Sequence, residues 1–124
     1  MSKIPQELKY TRSHEWVKED GDIVTVGITD YAQSQLTDIV FIDLPKNGTR
    51  KKAGEVLLTI ESVKSAEDVF SPLDGEVKEV NSALEDKPEL VNKDPYANWM
   101  VKLQKKGSFG ETMTPEEYRK FIGE

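Results

Sequence analysis

The stretch Glu61-Ser62-Val63-Lys64-Ser65-Ala66-Glu67-Asp68-Val69-Phe70-Ser71-Pro72 decides how the chain reads. The β-forming run Val56–Ile60 rises into it and Val69-Phe70 leads out again. Between them lies a short connection of small residues, which predicts a hairpin. Lys64 sits near its middle, flanked by Glu61, Glu67 and Asp68, and no other lysine occurs between Lys52 and Lys78. On spacing alone the plainer reading is a solvated turn whose lysine offsets its acidic neighbours, because most exposed lysines are ordinary surface.

Working outward, period-two alternation places Val24, Val26 and Ile28 on one face of a strand over Asp22–Ile28. The continuous apolar run Ile39-Val40-Phe41-Ile42 suits a strand covered on both faces. Shorter strands are expected at Glu76–Val80 and Trp99–Leu103. Turn signals at Pro45-Lys46-Asn47-Gly48, Ala53-Gly54 and Pro72-Leu73-Asp74-Gly75 separate them, as in an all-β sandwich or barrel. Gly21–Val26 weakly echoes Gly75–Val80, which two similar halves packed face to face would explain. A helix starts after the N-cap Thr29 and continues through Leu36. Thr114-Pro115-Glu116-Glu117 is a capping box opening a helix over 115–122, with Tyr118, Phe121 and Ile122 as its apolar stripe. Asn81–Leu84 and Glu89–Asn92 each have the makings of one helical turn.

The 124 residues suffice for one domain, expected to span 1–124 without a linker. The net charge of −6 argues against nucleic acid, whose phosphates demand a basic face, and against anionic membranes. Cysteine is absent and His14 is the only histidine, which excludes disulfides, thiolate metal sites and a cysteine nucleophile. With no signal peptide or presequence at Met1–Tyr10, the chain reads as cytoplasmic and monomeric.

Against that background the hairpin resembles the lipoyl-lysine segment of glycine cleavage system H proteins, and the likeness extends over nearly the whole chain. Tyr10-Thr11-Arg12-Ser13-His14-Glu15-Trp16-Val17 is similar to the family's N-terminal strand, and Gly27–Gln33 to its first helix entry. Asp38–Pro45 resembles its central strand. Glu61-Ser62-Val63-Lys64, Ser71-Pro72, Gly75-Glu76-Val77 and Val80-Asn81 resemble the modified hairpin and its return. Pro88–Tyr96 and Trp99-Met100 complete the match. Thr37 and Asn98 stand where glycine is usual, so a positive φ there suits Asn98 tolerably and Thr37 poorly. Biotin carriers have methionine on both sides of their lysine, where this chain has Val63 and Ser65. Lipoyl domains of 2-oxoacid dehydrogenases usually have Asp before the lysine and Ala after it, and this chain has neither.

The resemblance implies a mainly β chain of the lipoyl/biotinyl type, a flattened β-barrel (barrel-sandwich hybrid) with short helices including one at the C-terminus. It implies lipoate joined by an amide to Lys64, and a carrier without catalytic machinery of its own. In such a system the carrier takes an aminomethyl group from the pyridoxal-phosphate glycine decarboxylase to the tetrahydrofolate-dependent aminomethyltransferase. Dihydrolipoyl dehydrogenase then reoxidises it, and a lipoate ligase or lipoyl/octanoyl transferase installs the cofactor. Glu61, Ser62, Val63 and Ser65 are candidates for recognition by that modifying enzyme. Ser13, Glu15 and Asp68 are implied to hold the loaded arm's ammonium in a resting cleft; by residue type alone, Glu15 and Asp68 read equally as surface acids. Two other readings remain open: a relay passing lipoate to 2-oxoacid dehydrogenase complexes, and an unmodified β-sandwich binding module.

Among the remaining residues, His14 reads as a hydrogen-bonded structural histidine and Trp16 and Trp99 as core or rim packing. Arg50-Lys51-Lys52 with Lys46 reads as a solvated turn, while six acids against two lysines in Glu61–Glu79 form a face suited to steering partners. Under the carrier reading, the missing cysteine becomes coherent: the reactive sulfurs arrive on lipoate, and no protein thiol can trap them as a mixed disulfide.

Overall fold

The computed structural model describes residues 1–124. The strands are β1 (Lys9–Tyr10), β2 (Glu15–Asp20), β3 (Ile23–Ile28), β4 (Ile39–Asp43), β5 (Arg50–Lys51), β6 (Val56–Ser62), β7 (Ala66–Phe70), β8 (Leu73–Val80) and β9 (Val101–Phe109). The helices are α1 (Asp30–Leu36), α2 (Ala83–Asp86), α3 (Leu90–Lys93) and α4 (Pro115–Phe121). A six-stranded sheet in the order β1-β2-β3-β9-β8-β5 faces a three-stranded sheet in the order β4-β6-β7, the flattened mainly β architecture expected. No helix is long and apolar enough to cross a membrane.

The alternating apolar positions point into one cluster between the sheets. Val24, Val26, Val77 and Leu103 come from the larger sheet, and Ile42, Leu58, Ile60 and Val69 from the smaller. A second cluster of Ile4, Leu8, Tyr10, Trp16, Met113 and Tyr118 fastens α4 to the N-terminal strands. There the Tyr10 and Tyr118 rings stack at 4.8 Å between centroids. Trp16 is buried and its indole N–H donates to the Pro95 carbonyl, whereas Trp99 lies at the rim beneath the Lys102 ammonium.

Both capped helices form where their signals stand. The Thr29 hydroxyl accepts from Ala32 N–H at 3.1 Å, and Thr114 and Glu117 close the capping box on α4. In α4, however, only Tyr118 of the expected stripe is buried, and Phe121 is 44% exposed. The two one-turn helices begin one or two residues later than read.

Five expectations are corrected. The strand read at Glu76–Val80 starts at Leu73 and takes in Gly75, because β9 lies close alongside. A Cβ on Gly75 would stand 2.9 Å from the Gln104 carbonyl oxygen, so glycine there serves close approach rather than a turn. Its partner begins at Val101 and continues to Phe109, leaving Trp99 outside. Tyr10–Val17 is not one strand, since Thr11–His14 reverses the chain between β1 and β2 with His14 at φ 72°. The echoing segments do not pack face to face; they lie in one sheet on either side of β9, with Val24 and Val77 both in register with Leu103.

The apolar run 39–42 is also not covered on both faces. β4 is an edge strand of the smaller sheet, and its register shifts between Ile39 and Phe41. Such a bulge sets two residues against one of the partner strand. Ile39 and Ile42 therefore face the core while Val40 and Phe41 both stay exposed.

Candidate functional site

Strands β6 and β7 pair from Val56↔Phe70 to Glu61↔Ala66, and the hairpin closes at Ser62–Ser65. Ser62 organises this turn. Its backbone N–H donates to the Ser65 carbonyl at 2.8 Å, and its hydroxyl oxygen accepts from Lys64 N–H and Ser65 N–H at 3.2 and 3.1 Å. A side-chain oxygen thereby replaces the backbone acceptor that a tight turn leaves misdirected. Val63 and Lys64 occupy the tip, both exposed.

The hairpin leans on the α1–β4 connection. Val63 N–H donates to the Asp38 carbonyl at 3.0 Å, and Lys64 Nζ to the Gln35 carbonyl at 3.4 Å. That connection is itself clamped by Asn92 of α3. Asn92 Oδ1 accepts from Ile39 N–H at 2.9 Å, and Asn92 Nδ2 donates to the Thr37 carbonyl at 2.8 Å and to Gln33 Oε1 at 3.0 Å. Thr37 carries φ 62° and ψ −145°, so the position where glycine is usual does need a positive φ. Asn98 does not adopt one; its amide donates to the Leu90 and Asp94 carbonyls at 3.0 Å. Asn92 escaped the sequence reading although it lies within the matched Pro88–Tyr96 segment. Nothing in its local pattern links it to a hairpin some thirty positions earlier.

Glu61, Glu67 and Asp68 form no ion pair with Lys64; none lies within ion-pair distance of its amine. The Asp68 carboxylate accepts from the Thr59 hydroxyl instead, at 3.2 Å. Lys64 borders a cleft of about 380 Å³ with an apolar floor that includes Ile28, Leu36, Ile60 and Val69. Ser13, His14 and Asp68 supply polar groups to its wall.

A second cleft, of about 450 Å³, lies on the other side of Ser13 and is bordered by Glu15, Arg12, Ser71 and Glu111. Of the three residues implied for the arm, Ser13 and Asp68 thus share the cleft of Lys64, and Glu15 borders the adjoining one. Ser13 lines both.

Glu15 is no surface acid, being only 1% exposed. Its Oε1 accepts from the Thr11 and Ser13 hydroxyls at 2.5 and 2.6 Å, and its Oε2 from Phe70 N–H at 3.1 Å. Burial pushes its pKa above the usual carboxylate range, opposed by those same hydrogen bonds. This carboxylate therefore ties the β1–β2 turn to the C-terminal end of β7, the strand that descends from the Lys64 tip.

His14 is hydrogen-bonded as expected. Its Nδ1 lies 2.8 Å from the Tyr118 hydroxyl, which lies 2.7 Å from the Thr29 hydroxyl. Burial lowers the His14 pKa and favours the neutral ring. The basic cluster lies elsewhere, on β5 at an edge of the larger sheet, where Arg50 Nε pairs with Glu76 at 3.3 Å.

With this geometry in place, comparison with known proteins is specific. The glycine cleavage H-protein family model matches residues 8–124. A probable glycine cleavage system H protein of Picrophilus torridus is 60% identical over 124 residues, covering 100% of both chains. A glycine cleavage system H protein of Thermoanaerobacter is 51% identical, covering 98% of each. The crystal structure of a glycine cleavage system H protein from Mycobacterium marinum superposes with a TM-score of 0.92 at 38% identity, covering 98% of this chain and 100% of that one. A match of this length in sequence and fold admits one conclusion: the chain belongs to the glycine cleavage H-protein family.

Proposed function

We propose that this chain is the lipoylated carrier of glycine cleavage, with lipoate joined by an amide to Lys64 Nζ. The observation that carries the reading is the setting of Lys64: a primary amine at an exposed hairpin tip, free of ion pairs, beside an apolar-floored cleft. Lipoate fits those residues, because the amine is open to acylation and Ile28, Leu36, Ile60 and Val69 suit an aliphatic chain. When bound, lipoate supplies the redox-active dithiolane sulfurs that a chain without cysteine lacks.

The chain's own residues position rather than react. Ser62 holds the tip closed, and Asp38, through its carbonyl, and Asn92 hold the base to which the tip is pinned. Asp68 and Ser13 give the cleft wall acceptors for a cationic amine. Glu15 deepens that role by orienting Ser13 from behind. The partners in this reading are glycine decarboxylase, aminomethyltransferase and dihydrolipoyl dehydrogenase, with a lipoate-attaching enzyme acting first. The chain itself supplies no catalytic group.

Intact-mass measurement after incubation with a lipoate ligase, lipoate and ATP tests the assignment. One lipoyl adduct is expected on the wild type and none on Lys64→Arg. An unmodified wild type, or an adduct that survives the substitution, overturns it.

A further inference from the structure

Four of the six large apolar side chains that the fold leaves exposed lie on β4, β6 or the turn that follows β6, and three of them gather toward the Lys64 end. Val40 is 54% exposed, Phe41 46% and Val63 69%. The register shift in β4 sets Val40 and Phe41 together on the outer face, with Phe41 opposite Glu61. Val63 joins the same edge through its hydrogen bond to the Asp38 carbonyl, two residues before Val40. Glu61, and so its partner Phe41, stands one residue before the Ser62–Ser65 turn that carries Lys64.

Acids outnumber cations around this patch, the exposed Lys93 beside Asn92 being the neighbouring cation at the Ile39 end. Asp38, Asp43, Glu61 and Glu67 are exposed, and none is in an ion pair. Lys64 is the cation nearest the tip. Scattered exposed apolar residues need no explanation, but three on one edge with unpaired acids interleaved match the anatomy of a binding surface.

We propose that Val40, Phe41 and Val63 are the apolar anchor by which the lipoate-attaching enzyme grips this chain, through a socket rimmed with Lys and Arg. The inference rests on the carrier reading above and names the partner of that site. Reach selects this partner. An enzyme that acylates Nζ must bring the base of the arm into its own active site. A standard interface covers about 800 Å² per partner, a disc of about 16 Å radius, so it spans the patch. Enzymes that act on the far end of a mounted arm need not bring Lys64 itself into their active sites.

The supported step is simple. The deprotonated Nζ attacks the carbonyl carbon of lipoyl-adenylate, made from lipoate and ATP. A C–N bond forms, AMP leaves with the electron pair of the broken C–O bond, and nitrogen loses one proton. The patch contributes docking only, so its loss should act on KM.

The test is steady-state lipoylation of the full chain by a lipoate ligase with lipoate and ATP, followed by intact mass. The Val40→Thr/Phe41→Thr double variant keeps strand-forming side chains and removes the apolar surface. Its KM should rise about tenfold with kcat within about twofold, as for loss of an interface anchor. Val56→Thr, at the far end of β6, should match the wild type. Glu61→Lys should also raise KM, and the wild-type KM should rise with added salt. A double variant with wild-type KM, or an equal rise in Val56→Thr, overturns the proposal. If the double variant does not fold, Val63→Thr decides on its own: about a threefold rise in KM supports the anchor, and an unchanged KM overturns it. A wild type that accepts no lipoate overturns the carrier reading and the anchor together. A modified wild type with an indifferent patch overturns the anchor alone.

Discussion

Two chain reversals meet around Ser13, and they are built in opposite ways. The Thr11–His14 turn is locked: Glu15 behind it accepts three hydrogen bonds, and His14 is held by Tyr118 of α4. The Ser62–Ser65 turn is closed by one backbone bond and one serine side chain and leaves its lysine exposed. One reversal presents fixed groups to a cleft, and the other presents a group that has to be handed to enzymes. The difference teaches where this fold concentrates its stability: in the wall, not in the arm's mount.

Removing each turn's organiser is the harshest way to break the comparison. Glu15→Ala leaves the Phe70 N–H without its acceptor and strands the Thr11 and Ser13 hydroxyls, which should cost about 3 kcal/mol. Ser62→Ala exposes its two orphaned N–H groups to water that can replace the hydroxyl, so about 0.5 kcal/mol is expected. Urea denaturation measures both. Equal losses would show that the two turns are not differently built.

Thr37 sharpens the contrast from the hairpin's base. At φ 62° and ψ −145° it occupies a region essentially reserved for glycine, at a strain of order 1–3 kcal/mol. Thr37→Gly relieves that strain and costs roughly 0.5–1 kcal/mol in chain entropy. A net gain of about 1 kcal/mol is expected, read as a rise in Tm of about 4 °C. A fall in Tm would show that the threonine's own hydrogen bond to the Leu36 carbonyl outweighs its backbone strain.

These residues also mark how far sequence reading reached. The Lys64 hairpin and both capped helices were legible because their signals are local: a polar break between β-forming runs, and Thr at each N-cap. The positive φ at Thr37 was legible through a family pattern that expects glycine. The covered-strand reading of 39–42 failed because a bulge doubles the apolar residues on one face without altering composition. Asn92 and the hydrogen-bonded burial of Glu15 were illegible for another reason. Each acts on backbone groups more than fifty residues away, and no periodicity encodes such a contact.

A pH titration probes the locked turn more gently, because its two ionisable groups oppose one another. Burial holds His14 below its ordinary value, so the unfolded chain takes up that proton first as pH falls. Its contribution to stability is present above about pH 6.5 and is lost as pH falls from there through the folded-state pKa. Glu15 has the reverse sign. Its raised pKa gives a contribution present below the ordinary carboxylate range and lost as pH rises through the folded value. His14→Asn keeps a side chain that tolerates positive φ and removes the titrating ring. Stability measured from pH 7.5 to 5 should fall less steeply in this variant than in the wild type. Parallel curves would remove His14 from the acid response.

The smallest expected effect is the most informative about the mount. Lys64 has no ion pair, and its one side-chain hydrogen bond, to the Gln35 carbonyl, is long at 3.4 Å. Replacing it therefore removes almost nothing the folded state uses, and Lys64→Gln should shift stability by less than about 0.5 kcal/mol. Acylation deletes the same charge, and that loss by itself should move Tm by less than about 2 °C. Near-identity would mean that the fold is indifferent to the state of its arm, so a partner must tell the two apart by touching the arm itself. A larger rise on acylation would mean instead that the arm packs into the apolar-floored cleft beside Ile60 and Leu36. Ile60→Ser, which makes that floor polar, should then abolish the rise.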